Sequence, residues 1–259
     1  MKRMTAILLA IIIMMCPAVC TVCAASDAPT VSAESAVLMD QQTGQVIFEK
    51  NARKKLYPAS VTKIMSLLLF MEALDQKKMK LQEKVEATTE AVEKGGSQIW
   101  LKEGEQMTVD ELLRATAIGS ANDACTALAV HLSGSEAAFV GRMNERAKEL
   151  GMQDTTFQNC TGLDDDAPDH QSTAYDIALM SRALLEHQKI QDYTTVWMDT
   201  LRNGETQLVN TNKLVRFYAG TTGLKTGTTN KAGCCVSASA QRTPLRYMKT
   251  VSLCMNRTI

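Results

Sequence analysis

Three groups of residues in this 259-residue chain have types and spacing suited to nucleophilic chemistry. The first is Ser60 with Lys63. Three positions apart on a helix, two side chains share a face about one turn apart. A serine hydroxyl attacks poorly until a base removes its proton. A lysine in apolar surroundings serves as that base, because desolvation disfavours its charged form. The stretch YPASVTKIMSLLLFMEAL, residues 57–74, supplies such surroundings. It reads as a helix apolar on nearly every face, and such a helix is buried. Ser60 also falls near the helix N-terminus, where free N–H groups favour negative charge. Ser-x-x-Lys alone is a common chance pattern, and a solvated lysine near a helix start is the simpler reading of it.

The second group, Ser120-Ala-Asn122, follows Gly119 at a helix break. It offers a hydroxyl and an amide from one tight loop, although Ser or Asn there would also serve as an ordinary N-cap. The third, Lys225-Thr226-Gly227 with Thr228 behind it, lies on a predicted strand. It combines a cation, a hydroxyl and a glycine that permits close backbone approach. Alone it reads equally as an edge strand.

The elements that must position these groups follow from pattern. Residues 36–39 and 46–48 read as a hairpin around a turn at 40–44. Pro58 opens the apolar helix, where a missing N–H costs nothing. A charged connector spans 75–94. Thr108-Val-Asp-Glu111 is a capping box for a helix over 111–118. A small-residue helix covers 122–132. Ser135 caps another, with Phe139, Met143, Ala147 and Leu150 on one face and Gly151 ending it. Residues 153–171 form a polar loop of a length usually tied to function. Helix resumes near Thr173, and 223–240 reads as two strands around a turn at 229–233. Strands at both ends with helices between them predict an α+β fold, in which one sheet is built from both ends of the chain.

The formal net charge is zero and 45% of residues are hydrophobic. Nothing electrostatic points to nucleic acid. Residues 1–25 have a basic start (Lys2, Arg3), an apolar run from Ala6 to Met15, and small residues before Ala24. This is a secretory signal peptide, cleaved after Ala24 or Ala25, which predicts an exported, extracytoplasmic protein. Three of the eight cysteines lie in that leader. The others are Cys125, Cys160, Cys234, Cys235 and Cys254, an odd number with no CxxC pair. They support neither a metal site nor a disulfide framework, and read as small buried thiols.

Ser-x-x-Lys, a Ser-Asp-Asn element and Lys-Thr-Gly form the motif set of β-lactamases and penicillin-binding proteins, and all three element types appear here in that order, with Ala121 at the place of the Asp. With the surrounding segments LYPASVTKIMSLLL, IGSANDACTALAVHLSG, NCTGLDDDAPDHQSTAYDIALMSRALL and GLKTGTTNKAGCC, the sequence resembles the serine D-alanyl-D-alanine carboxypeptidases from about residue 35 to 240. The resemblance implies a β-lactamase/DD-peptidase-like fold, with a mainly antiparallel sheet flanked by helices and a helical region inserted. It implies no metal or organic cofactor. The implied partners are peptidoglycan stem peptides ending in D-Ala-D-Ala, and β-lactams. Ser60 is then the nucleophile, Lys63 its base, and Ser120 the relay to the leaving D-alanine. Asn122, Lys225, Thr226, Gly227 and Thr228 bind substrate, with the N–H groups of Ser60 and Thr228 as the oxyanion hole. His170 and Asp176 also match family positions, but they read as structural supports of the loop, since Ser–Lys chemistry needs no histidine.

The resemblance weakens near Gln241. Arg246 stands at the distance of a family arginine that binds the terminal carboxylate, but its neighbours match poorly. Residues 247–254 alternate without a clean apolar face. The reading is therefore of a single domain, 26–259, aberrant or truncated after about 240. It would lack the last sheet strand, a covering helix, a second β-domain and a membrane anchor. Losing the burial of five apolar side chains would cost about 7–15 kcal/mol, comparable to a domain's whole stability. Two other readings stand beside the carboxypeptidase. A β-lactamase needs an efficient deacylating base, for which residues 162–170 offer Asp164, Asp165, Asp166 and Asp169 but no Glu, and Ala121 replaces the usual Asp. An inactive fragment or non-catalytic cell-wall-binding protein is the other.

Overall fold

A computed structural model describes residues 30–242 and 247–254. The chain opens with β1 (Ser35–Asp40) and β2 (Val46–Lys50), then a 3-10 turn (Ala59–Thr62) runs into α1 (Lys63–Asp75). Next come β3 (Lys84–Glu86), α2 (Thr89–Val92), β4 (Gln106–Thr108) and α3 (Val109–Ala117). The helices α4 (Asn122–Ser133), α5 (Glu136–Glu149), α6 (Ala174–Glu186) and α7 (Gln191–Thr194) follow. A small hairpin, β5 (Met198–Leu201) and β6 (Thr206–Val209), precedes α8 (Leu214–Phe217). The chain returns to the sheet through β7 (Thr221–Thr229), β8 (Gly233–Arg242) and β9 (Tyr247–Cys254).

The main sheet has the order β2-β1-β9-β8-β7, antiparallel throughout. Both ends of the chain meet in it, as the sequence pattern predicts. α6 packs on one face. Its Ala174 and Ala178 sit with Val37 and Met39, and Ser181 hydrogen-bonds Ser237 of β8 at 2.8 Å. Its Ile177, Met180 and Leu184 join the larger core with α1. All of Lys63–Met71 in α1 is buried, as the all-round apolar pattern requires. The expected caps are present. Thr108 Oγ1 accepts from Glu111 N–H at 3.2 Å and Glu111 Oε2 accepts from Thr108 N–H at 2.8 Å. Ser135 caps α5 and Thr173 caps α6.

One expectation fails. A strand does follow residue 240: β9 pairs with β1 from Ser35↔Cys254 to Asp40↔Lys249, and with β8 from Cys235↔Cys254 to Arg242↔Tyr247. Apolar alternation is a side-chain signal, whereas ladders use the N–H and C=O that every residue but proline carries in full. Two unpaired strand edges are a template for such a segment. Arg246 lies outside the described residues, as do the leader and residues 255–259.

Candidate active site

The site is built around the 3-10 turn at the head of α1. Two glycines press closely against it. On β7, a Cβ at Gly227 would stand 2.6 Å from Ser60 N and 2.9 Å from Ala59 Cβ. In the 153–171 loop, Gly162 has φ +89°, and a Cβ there would fall 1.8 Å from Ala59 O. Neither position has room for a side chain. Ala59 is itself held at φ 47°, the kind of backbone strain that persists only where its surroundings impose it. Ser60 stays partly exposed between them.

Lys63 is fully buried and has three acceptors. Its Nζ donates to Ser60 Oγ at 3.0 Å, Asn122 Oδ1 at 2.5 Å and Thr161 O at 2.9 Å. Burial pushes its pKa down to about 8, partly opposed by negative character on Cys125, Cys160 and Asp123. Neutral Lys63 keeps two protons for the amide and the carbonyl. Its lone pair can then point along the third contact, toward Ser60 Oγ.

Asn122 is fixed by its surroundings. Its Nδ2 donates to Gly95 O at 2.6 Å, which turns Oδ1 toward Lys63, and its N–H donates to Ser97 O. Buried Asp123 secures the same loop by accepting from Ile99 N–H and Leu101 N–H. Ser120 is 4% exposed with φ 62°. It does not cap α4, whose N-cap is Ala121 without a side-chain bond. The ordinary capping role is thus not what holds either Ser120 or Asn122.

Lys225 is buried and donates to Thr226 O at 2.9 Å. Burial first, and then the charge of Lys63, hold its pKa well below the usual lysine range. Two lysines that feel each other in one dry site cannot both be comfortably charged. Thr226 Oγ1 donates to Thr211 Oγ1 at 2.7 Å, and Thr228 is exposed beyond Gly227.

The polar loop closes the other side. His170 accepts from Gln158 N–H at Nδ1 (3.0 Å), so its proton is on Nε2, which contacts Thr62 Oγ1 at 2.8 Å. Burial pushes its pKa down to about 4, so it is a neutral brace beneath the turn. Asp176 accepts from Asp154 N–H and Thr155 Oγ1. Asp164 accepts from Thr229 Oγ1, and Lys231 Nζ donates to its carbonyl. A cavity of about 640 Å³ lies beside the loop, lined by Gly95, Gly96, Asn159, Thr161, Leu163 and Asp166 among others.

Sequence reasoning missed Thr161, Gly95 and Gly162 as members of the site. Two act through backbone carbonyls, which have no residue-type signal. Gly162 was legible only as a glycine in a long loop.

This architecture is that of the penicillin-binding proteins. The crystal structure of penicillin-binding protein 6B from Escherichia coli superposes with a TM-score of 0.81 at 33% identity, covering 89% of this chain and 73% of that one. Penicillin-binding protein D2 from Listeria monocytogenes, in its ampicillin-bound form, gives 0.78 at 32% identity, covering 88% of this chain and 93% of that one. A profile of the D-alanyl-D-alanine carboxypeptidase family matches residues 22–258, and the chain belongs to that family. Among its relatives, the D-alanyl-D-alanine carboxypeptidase DacF of Bacillus subtilis is 47% identical over 222 residues, 85% of this chain. DacC of Escherichia coli is 39% identical over 232 residues, 87% of this chain. The chain spans 57% of the length of each of these two relatives.

Proposed function

We propose that this chain is an exported serine D-alanyl-D-alanine carboxypeptidase, with residues 1–25 as leader and 26–259 as one catalytic domain. The observation that carries the reading is the buried Lys63 ammonium at 3.0 Å from Ser60 Oγ, with a pKa brought to about 8. In the proposed reaction Ser60 Oγ gives its proton to neutral Lys63 and attacks the carbonyl carbon of the penultimate D-alanine. The oxyanion takes N–H bonds from Ser60 and Thr228, electrostatic help that is commonly the largest single contribution in acyl transfer. The close approach at Gly227 brings those two backbones together.

Ser120 hands a proton to the nitrogen of the departing D-alanine. The C–N bond breaks, and an ester to Ser60 remains until water hydrolyses it. Thr226, Lys225 and Arg246 receive the substrate's terminal carboxylate, while Asn122 has the amide to orient its peptide once substrate competes for it. A β-lactam is attacked in the same way, but its amine stays tethered and cannot leave.

The β-lactamase alternative needs a free base in the loop. Asp164 is buried and its carboxylate already accepts from Thr229 Oγ1, which favours slow deacylation. The test is release of D-alanine from a peptide ending in D-Ala-D-Ala. Turnover that disappears in Ser60→Ala is expected. Undiminished turnover in that variant would overturn the proposal.

A further inference from the structure

We propose that Cys125 and Cys160 form a disulfide between the two segments that grip Lys63, and that this bond slows acylation at Ser60. The regulatory half rests on Lys63 acting on Ser60 as proposed above. The two cysteines are free in the structure and fully buried. Cys125 Sγ donates to Cys160 O at 3.4 Å. Thr126 Oγ1 stands 3.5 Å from Cys160 Sγ.

Their neighbours give the pair its meaning. Lys63 Nζ is held by Asn122 Oδ1 and Thr161 O. Cys125 lies one turn after Asn122 on the same helix, and Cys160 directly precedes Thr161. Cys160 O also accepts from Ser66 Oγ at 2.6 Å, one turn after Lys63 on α1. Joining the sulfurs draws together the two walls on either side of the lysine. In a close-packed interior such a shift is transmitted rather than absorbed. It also removes the Cys125 S–H donor.

The oxidant is a small-molecule or protein disulfide, such as an oxidising compartment provides. The Cys125 thiolate attacks one sulfur of the reagent, breaking its S–S bond and releasing one thiol. The Cys160 thiolate then attacks Cys125 Sγ in the mixed disulfide and releases the second thiol. Two cysteine thiols are oxidised, one disulfide is reduced, and the two protons go to the departing thiolates. Because both sulfurs are buried, exchange takes place while the segment carrying Cys160 is open, as it is during folding.

The full chain is folded with glutathione disulfide present and, in parallel, with a thiol reductant. Peptide mapping without reduction is expected to show a Cys125–Cys160 link and the loss of two hydrogens. Labelled penicillin is expected to acylate the linked form at least about tenfold more slowly, since small displacements of catalytic groups cost up to about a hundredfold. Reductant restores the rate. Cys160→Ser and Cys125→Ser each abolish both the link and the oxidant sensitivity. Absence of the link, linkage to a different cysteine, or an unchanged acylation rate in the linked chain would overturn the proposal. The link is read by mass alone, so its outcome is separate from whether Ser60 is acylated at all.

Discussion

In the proposed reaction Lys63 is the residue on which the chemistry depends, and its burial makes its behaviour testable. Below a pKa of about 8 it is charged and cannot accept a proton. The acylation rate is therefore expected to rise with pH and to reach half its plateau near that value. A rate flat across this range would contradict the base assignment. Lys63→Arg keeps a charge that does not titrate, so acylation is expected to fall about 10²–10⁴-fold, the usual share of general base catalysis. Stopped-flow acylation kinetics on folded variants would measure it. His170 gives a stability prediction of opposite flavour. Folded His170 stays neutral down to about 4, against an ordinary value of 6.5. Between those values the unfolded chain binds the extra proton, so stability falls as pH drops through the window. The difference is worth about 3 kcal/mol in all. His170→Asn should flatten that acid limb in denaturant unfolding, and an unchanged slope would count against the buried neutral imidazole.

At the scale of elements, the site is a turn clamped between a loop and a strand, and glycines mark both clamps. Gly162→Ala would place a Cβ 1.8 Å from Ala59 O. Overpacking and strained backbone each cost about 1–3 kcal/mol, so a clear drop in melting temperature is expected. Gly227→Ala presses on Ser60 N from 2.6 Å. It is expected to reduce acylation more than stability, by about a hundredfold if the strand retreats by an ångström. Comparing melting curves with acylation rates separates the two effects. Much of this level was legible beforehand. The capping box, the apolar helix and the Ser135 cap are local signals, and the close approach at Gly227 follows from a glycine next to two functional residues. The carbonyls of Thr161 and Gly95 were not legible. A backbone acceptor is the same at every residue, and only tertiary placement chooses between them.

For the molecule as a whole, the sheet built from both chain ends was readable from the order of strands and helices, but its middle strand was not. Residues 247–254 have no clean apolar face, so the pattern gave no reason to expect β9. Yet its backbone fills the slot between β1 and β8. Deleting residues 243–259 should therefore expose two strand edges and abolish cooperative unfolding, because a domain's net stability is only about 5–15 kcal/mol. A deletion variant that melts as sharply as the full chain would show that β9 contributes little. The pair that was weak as a bare Ser-x-x-Lys pattern gains its weight from this assembly, which brings the turn before α1, α4 and the polar loop to one lysine. The most direct measurement is to treat the folded full chain with labelled penicillin and map the label by mass. A single, slowly lost adduct on the peptide carrying Ser60 is the expected result, absent in Ser60→Ala. Folded protein that takes no label, or takes it on another residue, would contradict the account.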